Sequence, residues 1–267
     1  MNNLHRQLAP ISSGAWEQIE EEASRTLKRY LAARKVVDVI GPAGSDLAAV
    51  GTGHLQALKS EQEGLTVSQY KVKPLVRFRV PFKLSREAID SVERGANDPD
   101  LQPLKDAARC IAFGEDRAIV DGYALANIDG IRPSSSNQSI ALPAEVREYP
   151  GTVERAVATL KNAGVNGPYK LLLGRKPYER LSGAPAESYP VLKDIRGLID
   201  GEIIWAPAIE GGLMLTGRGG DFELHLGEEL SIGYIGHSHE DVELYFQESF
   251  TFLNLTTEAS VDLSLGG

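Results

Sequence analysis

Residues 217 to 250 read GRGGDFELHLGEELSIGYIGHSHEDVELYFQESF, a stretch patterned for sheet and almost empty of catalytic side chains. Phe222, Leu224 and Leu226 alternate with Glu223, His225 and Gly227; after a turn-rich break, Val242, Leu244 and Phe246 alternate with Glu243, Tyr245 and Gln247. Such alternation puts every second side chain on one face of an extended backbone, so the region predicts half-buried strands. Strands here and helical spacing elsewhere place the chain in the α+β class.

Composition narrows the field around that stretch. At 267 residues the chain is long enough for a large core and near the size at which a core divides, so one lobed domain or two small ones are expected. Hydrophobic content of 42% and charged content of 24% are those of a folded globular protein. A formal net charge of -9 disfavours nonspecific binding to nucleic acid or to an anionic membrane, because both require a basic surface. The single cysteine, Cys110, cannot form an intramolecular disulfide, and its place in an apolar helical stretch predicts a small buried hydrophobe. No run approaches the ~20 apolar residues that span a bilayer, and a cytoplasmic location is expected.

Upstream, Trp16, Ile19, Ala23, Leu27, Tyr30 and Leu31 recur at helical spacing after Ser12 and Ser13, which predicts an amphipathic helix over 14–33. Lys35 to Ile40 reads as a short strand. From Tyr70 to Phe82 the alternation is unusually long, with Tyr70, Val72, Pro74, Val76, Phe78, Val80 and Phe82 on one face. As one strand at ~3.3 Å per residue it would span ~43 Å, against a radius of gyration of ~18 Å for a compact chain of this length. It therefore crosses the molecule or projects as an arm, and Pro74 and Pro81, which cannot donate ladder bonds, put part of it at an edge. Leu84 to Glu93 predicts a short helix and Asp100 to Asn127 a long one, with the polar segment PSSSNQS at 133–139 as a loop and domain boundary. A helix over 152–163, a buried strand at Tyr169 to Leu173, a loop from Ser182 to Pro190, a helix over 191–199 and strands at 202–206 and 212–216 follow. Val242 to Leu253 and Ala259 to Leu263 close the chain as strands.

Chemistry is thin. His237 and His239 have the alternate spacing of a metal pair, but no third histidine or cysteine cluster accompanies them, and a hydrophilic turn is the plainer reading. Glu115, Asp116, Glu145 and Glu148 offer a paired-carboxylate site or, more simply, solvated helix faces. Neither G-x-S-x-G nor H-E-x-x-H occurs. Gly217, Gly219 and Gly220 around Arg218 suit a tight inter-strand turn better than a phosphate loop, since no helix start follows. The basic face Lys71, Lys73, Arg77, Arg79 and Lys83 suits a neighbouring subunit or solvent. No catalytic residue, metal or cofactor is assigned.

Across nearly the whole chain, ordered motifs resemble encapsulin shell proteins, the bacterial relatives of tailed-phage capsid proteins. They are LAPIS at 8–12, ARKVVDV at 33–39, PLVRFRVPFKL at 74–84, VERGAND at 92–98, EDRAI at 115–119, VNGPY at 165–169, IIWAPAIEG at 203–211, RGGDFELHLG at 218–227 and LSIGY at 230–234. The resemblance implies the tailed-phage major capsid fold, with a discontinuous peripheral domain at 1–45, 82–135 and 225–267, an extended E-loop arm at 46–81 and an axial domain at 136–224. It implies a non-enzymatic subunit that self-assembles into a hollow icosahedral shell, in multiples of about sixty copies, and encloses a cargo enzyme. A dye-decolourising peroxidase is the expected cargo and a ferritin-like protein the alternative, each held by a C-terminal targeting peptide. The positions matching the family's peptide site are Leu27, Leu31, Arg34, Asp38, Ile232 and Tyr234, where apolar side chains receive Leu or Ile anchors while Arg34 and Asp38 orient the peptide. Glu187, Ser188 and Tyr189 match the loop around the fivefold pore, an acidic ring that favours cations. Some relatives stack a flavin on a tryptophan at the position of Glu87, and an acid there implies no flavin. Phage-type cross-links are not expected, although Lys59 and Lys71 lie on the arm. A bacteriocin-like or proteolytic protein and a prophage capsid protein are the alternative readings.

Overall fold

Two mixed five-stranded sheets and one two-stranded hairpin carry the chain in its computed structural model, which describes residues 3–183 and 185–266 and, for 185–189, the backbone alone. The first sheet holds β1 (Asp38–Ile40), β9 (Phe222–Leu226), β11 (Asp241–Asn254), β10 (Ser231–His237) and β4 (Val76–Ser85). The 14-residue β11 is its spine. β4 runs antiparallel along one edge of β11, from Ser85 opposite Asp241 to Val76 opposite Phe250, while β10 and β9 share the other edge in succession. The second sheet has the order β5 (Ile140–Leu142), β12 (Ser260–Leu265), β8 (Gly212–Thr216), β6 (Tyr169–Leu173) and β7 (Ile203–Trp205). β2 (Ala49–Leu58) and β3 (Val67–Pro74) form the hairpin.

Helices cover the sheets where their apolar stripes dictate. α1 (Ser13–Tyr30) starts at Ser12, whose hydroxyl accepts the Ala15 N–H at 3.2 Å. It buries Ala15, Ile19 and Ala23 with Leu104, Ala108 and Ile111 of α3 (Gln102–Val120). α2 (Arg86–Glu93) is capped the same way by Ser85, at 3.1 Å from the Ala88 N–H. After the single turn α4 (Ile131–Ser134), helices α5 (Tyr149–Asn162), α6 (Arg175–Ser182) and α7 (Pro185–Ile199) pack with the second sheet, α5 through Val153, Ala156, Val157 and Leu160. Phe78 of β4 packs against both core clusters and joins them.

Several sequence expectations need correction. The long strand Tyr70–Phe82 is two strands: the chain leaves β2 at Pro74, Leu75 donates its N–H to Ala48 O at 3.0 Å, and β4 joins β11. Residues 76–81 thus belong to the first sheet and not to an arm at 46–81. The helix expected over Asp100–Asn127 ends at Val120, where Gly122 at φ 87° turns the chain. The segment PSSSNQS is no free linker, because Ser135 Oγ and Asn137 Nδ2 donate to Ser260 O at 2.7 and 2.8 Å. β12 lies in the second sheet, so the stretch 225–267 is shared between both sheets. The loop expected from Ser182 to Pro190 is largely helical, with Pro190 inside α7; the side chains of Glu187, Ser188 and Tyr189 lie outside the described residues. Cys110 is exposed, since it falls a helical step away from the inward row Ala107, Ala108 and Ile111.

Candidate functional site

A groove of about 470 Å³ opens between α1 and the edge of the first sheet. Helical spacing supplies one wall: Ala23, Leu27 and Leu31 recur every fourth residue, with Leu27 and Leu31 only half-buried. Ile232 of β10 and its cross-strand partner Phe246 of β11 supply the floor. Gly233 follows Ile232 because the Tyr245 ring lies against it; a Cβ there would stand 2.1 Å from Tyr245 Cζ. Arg6, whose guanidinium lies 4.2 Å from the Trp16 ring centroid and pairs with Glu20, forms the rim at one end.

Arg34 and Glu229 line the groove as well, above a buried acidic cluster. Arg34 Nε donates to Glu115 Oε1 and Oε2 at 2.8 and 3.0 Å, and Nη2 donates to Glu115 Oε2 at 2.6 Å and to Glu248 Oε2 at 3.1 Å. Nη1 reaches Glu229 Oε1 at 2.6 Å. Glu115 and Glu248 are fully buried, so one guanidinium serves two buried carboxyls and one on the rim. Burial opposes the charge on Arg34, but Glu115 and Glu229 outweigh it and raise its pKa further. Burial, then the neighbouring Glu115 carboxylate, pushes Glu248 well above the usual carboxylate range, with Arg34 pulling the other way. Glu229 is placed by the turn between β9 and β10, where Gly227 N–H donates to Ser249 O at 2.8 Å and Ser249 N–H to Glu228 O at 3.0 Å.

Of the positions expected for peptide docking, Leu27, Leu31, Arg34 and Ile232 meet in this groove. Asp38 and Tyr234 do not line it. Asp38 Oδ2 accepts the Gly220 N–H at 2.5 Å, fixing a turn in which Gly219 and Gly220 take φ of 83° and 79°. Tyr234 donates its N–H to Leu4 O at 2.8 Å and bonds His237 Nδ1 through its hydroxyl. Glu87 is exposed and pairs with Arg94. Sequence reasoning missed Glu115 and Asp116 as buried groups, although they follow Ile111 and Ala112 by four residues on the inward face of α3. Glu248 and Phe246 were hidden in the alternation of a strand that is buried on both faces.

A family model described as an encapsulating protein for peroxidase matches residues 1–251. The type 1 encapsulin shell protein of Rhodococcus erythropolis is 53% identical over 264 residues, 99% of this chain and 100% of that protein. The chain belongs to the encapsulin shell proteins. Type 1 encapsulin shell proteins of Mycolicibacterium paratuberculosis and Brevibacterium linens are 53% and 52% identical over 99% of the chain and the whole of each relative. Among solved structures, the virus-like particle of Pyrococcus furiosus superposes with a TM-score of 0.63 at 14% identity, covering 92% of this chain and 98% of that one. The capsid of Myoviridae phage XM1 gives a TM-score of 0.55 at 10% identity, covering 88% and 92%. An encapsulin subunit with the tailed-phage capsid fold builds a capsid-like shell, and its groove belongs to a structural protein's surface. No helix among the described residues is long and apolar enough to cross a membrane.

Proposed function

We propose that this encapsulin subunit assembles into a hollow icosahedral shell in the cytoplasm and holds a cargo enzyme by docking the cargo's C-terminal peptide in the groove between α1 and β10. The reading rests on one observation: the half-buried Leu27 and Leu31 stand beside a floor made by the buried Ile232 and Phe246, so the groove keeps apolar surface that the subunit itself leaves partly uncovered. An apolar peptide anchor laid there removes that surface from water, while Glu229 and Lys28 on the rim meet its polar backbone. A peroxidase is the favoured cargo, in line with the family description, and a ferritin-like protein the alternative. By the same resemblance the first turns of α7, with Glu187, Ser188 and Tyr189, surround the fivefold pore. The second sheet with α5 to α7 corresponds to the axial domain, and β2–β3 to the arm.

The test is co-expression of the shell with a fluorescent reporter that carries the tail of the enzyme encoded beside the shell gene. The reporter is expected to co-purify with unaltered particles and to be lost from Leu27→Asp or Leu31→Asp particles of the same size. A carboxylate in the groove must be desolvated under the peptide, which weakens binding at least about tenfold, or ~1.4 kcal/mol. Equal retention by both variants would remove the groove from the docking role.

A further inference from the structure

The polar end of the groove is built unlike a simple ion pair. Glu115 of α3 and Glu248 of β11 are both without solvent exposure and share the single guanidinium of Arg34. Glu248 Oε1 is buried with no hydrogen-bond donor directed at it. Glu115 and Glu248 both meet Nη2 of Arg34, at 2.6 and 3.1 Å, so two buried carboxyls crowd one cation, an arrangement that is relieved when one of them carries a proton. The groups facing Glu248 are therefore Glu115 from α3, Arg34 from the segment after α1 and Glu229 from the β9–β10 turn. On the β4 side its cross-strand partner is the apolar Phe78. Arg34 retains 16% exposure, and that exposure is into the groove. Water in the groove is thus the solvent of the cluster.

We propose that peptide docking is coupled to one proton on the Glu115–Glu248 pair: covering the groove favours the pair's singly protonated form, so docking takes up a proton from the medium. This rests on the docking groove proposed above. An apolar peptide displaces the water that solvates Arg34 and Glu229 and lowers the local dielectric. The doubly ionised pair has two buried negative charges against one positive charge, so it loses more from that change than the singly protonated pair. The balance is simple. A buffer acid gives up the proton, the Glu248 carboxylate receives it, and the new O–H donates to Glu115. The sign follows by linkage: where the free pair is already protonated, affinity is independent of pH, and above that range affinity falls as pH rises until the docked pair also ionises. Glu20 and Lys28 line the groove and Asp116 binds the backbone N–H of Ala33 next to Arg34, so the pH slope has to be assigned by substitution.

The probe is a short, uncharged, fluorescently labelled peptide containing Leu, Ile and Gly, titrated into assembled shells between about pH 6 and about pH 9. Affinity is expected to weaken with rising pH, by up to roughly tenfold for each pH unit by which docking raises the pKa of Glu248. Calorimetry of the unaltered shell in two buffers of different ionisation enthalpy is expected to show net proton uptake at the alkaline end. Glu248→Gln shells are expected to bind at the low-pH affinity of the unaltered shell at every pH. Should that variant not assemble, Glu115→Gln removes the shared pair from the other side, and the calorimetric proton count needs no variant. Binding that is flat with pH and free of proton uptake overturns the coupling while leaving the docking groove intact, as does a slope that persists in Glu248→Gln. No binding of the probe at any pH, together with retention of the tailed reporter by Leu27→Asp shells, overturns the groove itself.

Discussion

Both carboxylate oxygens of Asp116 are engaged by backbone. The Ala32 N–H lies 3.1 and 3.0 Å from Oδ1 and Oδ2, and the Ala33 N–H donates to Oδ1 at 2.9 Å. Those two N–H groups would otherwise continue α1, so a side chain from α3 ends the helix at Tyr30 and turns the chain toward Arg34. Burial outweighs these hydrogen bonds and pushes the Asp116 pKa up to about 7. Between its ordinary value of 3.8 and about 7 the folded subunit therefore holds a proton that the unfolded chain has released, so stability falls as pH rises through that window and levels off above it. Asp116→Asn keeps an acceptor for Ala33 but cannot ionise. Urea midpoints across that pH range are expected to show a shallower slope in the variant, and an identical slope would assign the dependence elsewhere. Apolar spacing marked Leu27 and Leu31 as part of a helix stripe, while their place in a docking site, with that of Ile232, came from the family resemblance. The same resemblance placed Asp38 in that site, whereas β1 carries Asp38 to the turn at Gly219–Gly220.

At the scale of elements, the hairpin β2–β3 is the least self-sufficient part of the subunit. Tyr70 and Val72 are 76% and 49% exposed, on the same alternation that continues into the half-buried Val76 and Phe78. A period of two reports that one face is apolar; it does not report whether this chain or a neighbour covers it. That is why residues 70–82 read as one strand, and why β2 was not read as a strand at all. We propose that in a shell-forming protein contacts between subunits cover this face. The double variant Tyr70→Ser, Val72→Asp is expected to lower the yield of particles in size-exclusion chromatography and electron microscopy. The unfolding free energy of the isolated subunit should shift by less than about 0.5 kcal/mol. A large loss of subunit stability would show instead that the arm packs on its own chain.

At the scale of the molecule, the C-terminal run binds the two halves together. β11 pairs with β4, β9 and β10, and after a short 3-10 turn at Thr257–Ala259 the chain enters the second sheet as β12, between β5 and β8. Phe250 and Phe252 of β11 share one core with Val261 and Leu263 of β12. The ring of Phe250 meets Phe78 edge-on at 5.0 Å. Phe250→Ala leaves a cavity at this junction and is expected to cost ~3–5 kcal/mol, read from the denaturant midpoint of the subunit. A cost below about 1 kcal/mol would mean the two sheets do not rely on a common core.

The division between what sequence and tertiary structure each decided follows from range. Most helix and strand positions outside β2 and the start of α7, the apolar stripe of α1 and the resemblance to the encapsulin shell proteins were legible in the chain, because neighbouring residues carry periodicity and ordered motifs survive in linear form. The end of α1 at Tyr30, the passage of β12 into the second sheet, the separation of β3 from β4 and the burial of Glu115 and Glu248 beneath Arg34 came only with the fold. Each of these depends on residues far apart in sequence competing for the same hydrogen bond, strand edge or counter-charge. Arg34 and Glu248 are separated by 214 positions, and no local pattern encodes the meeting of their side chains.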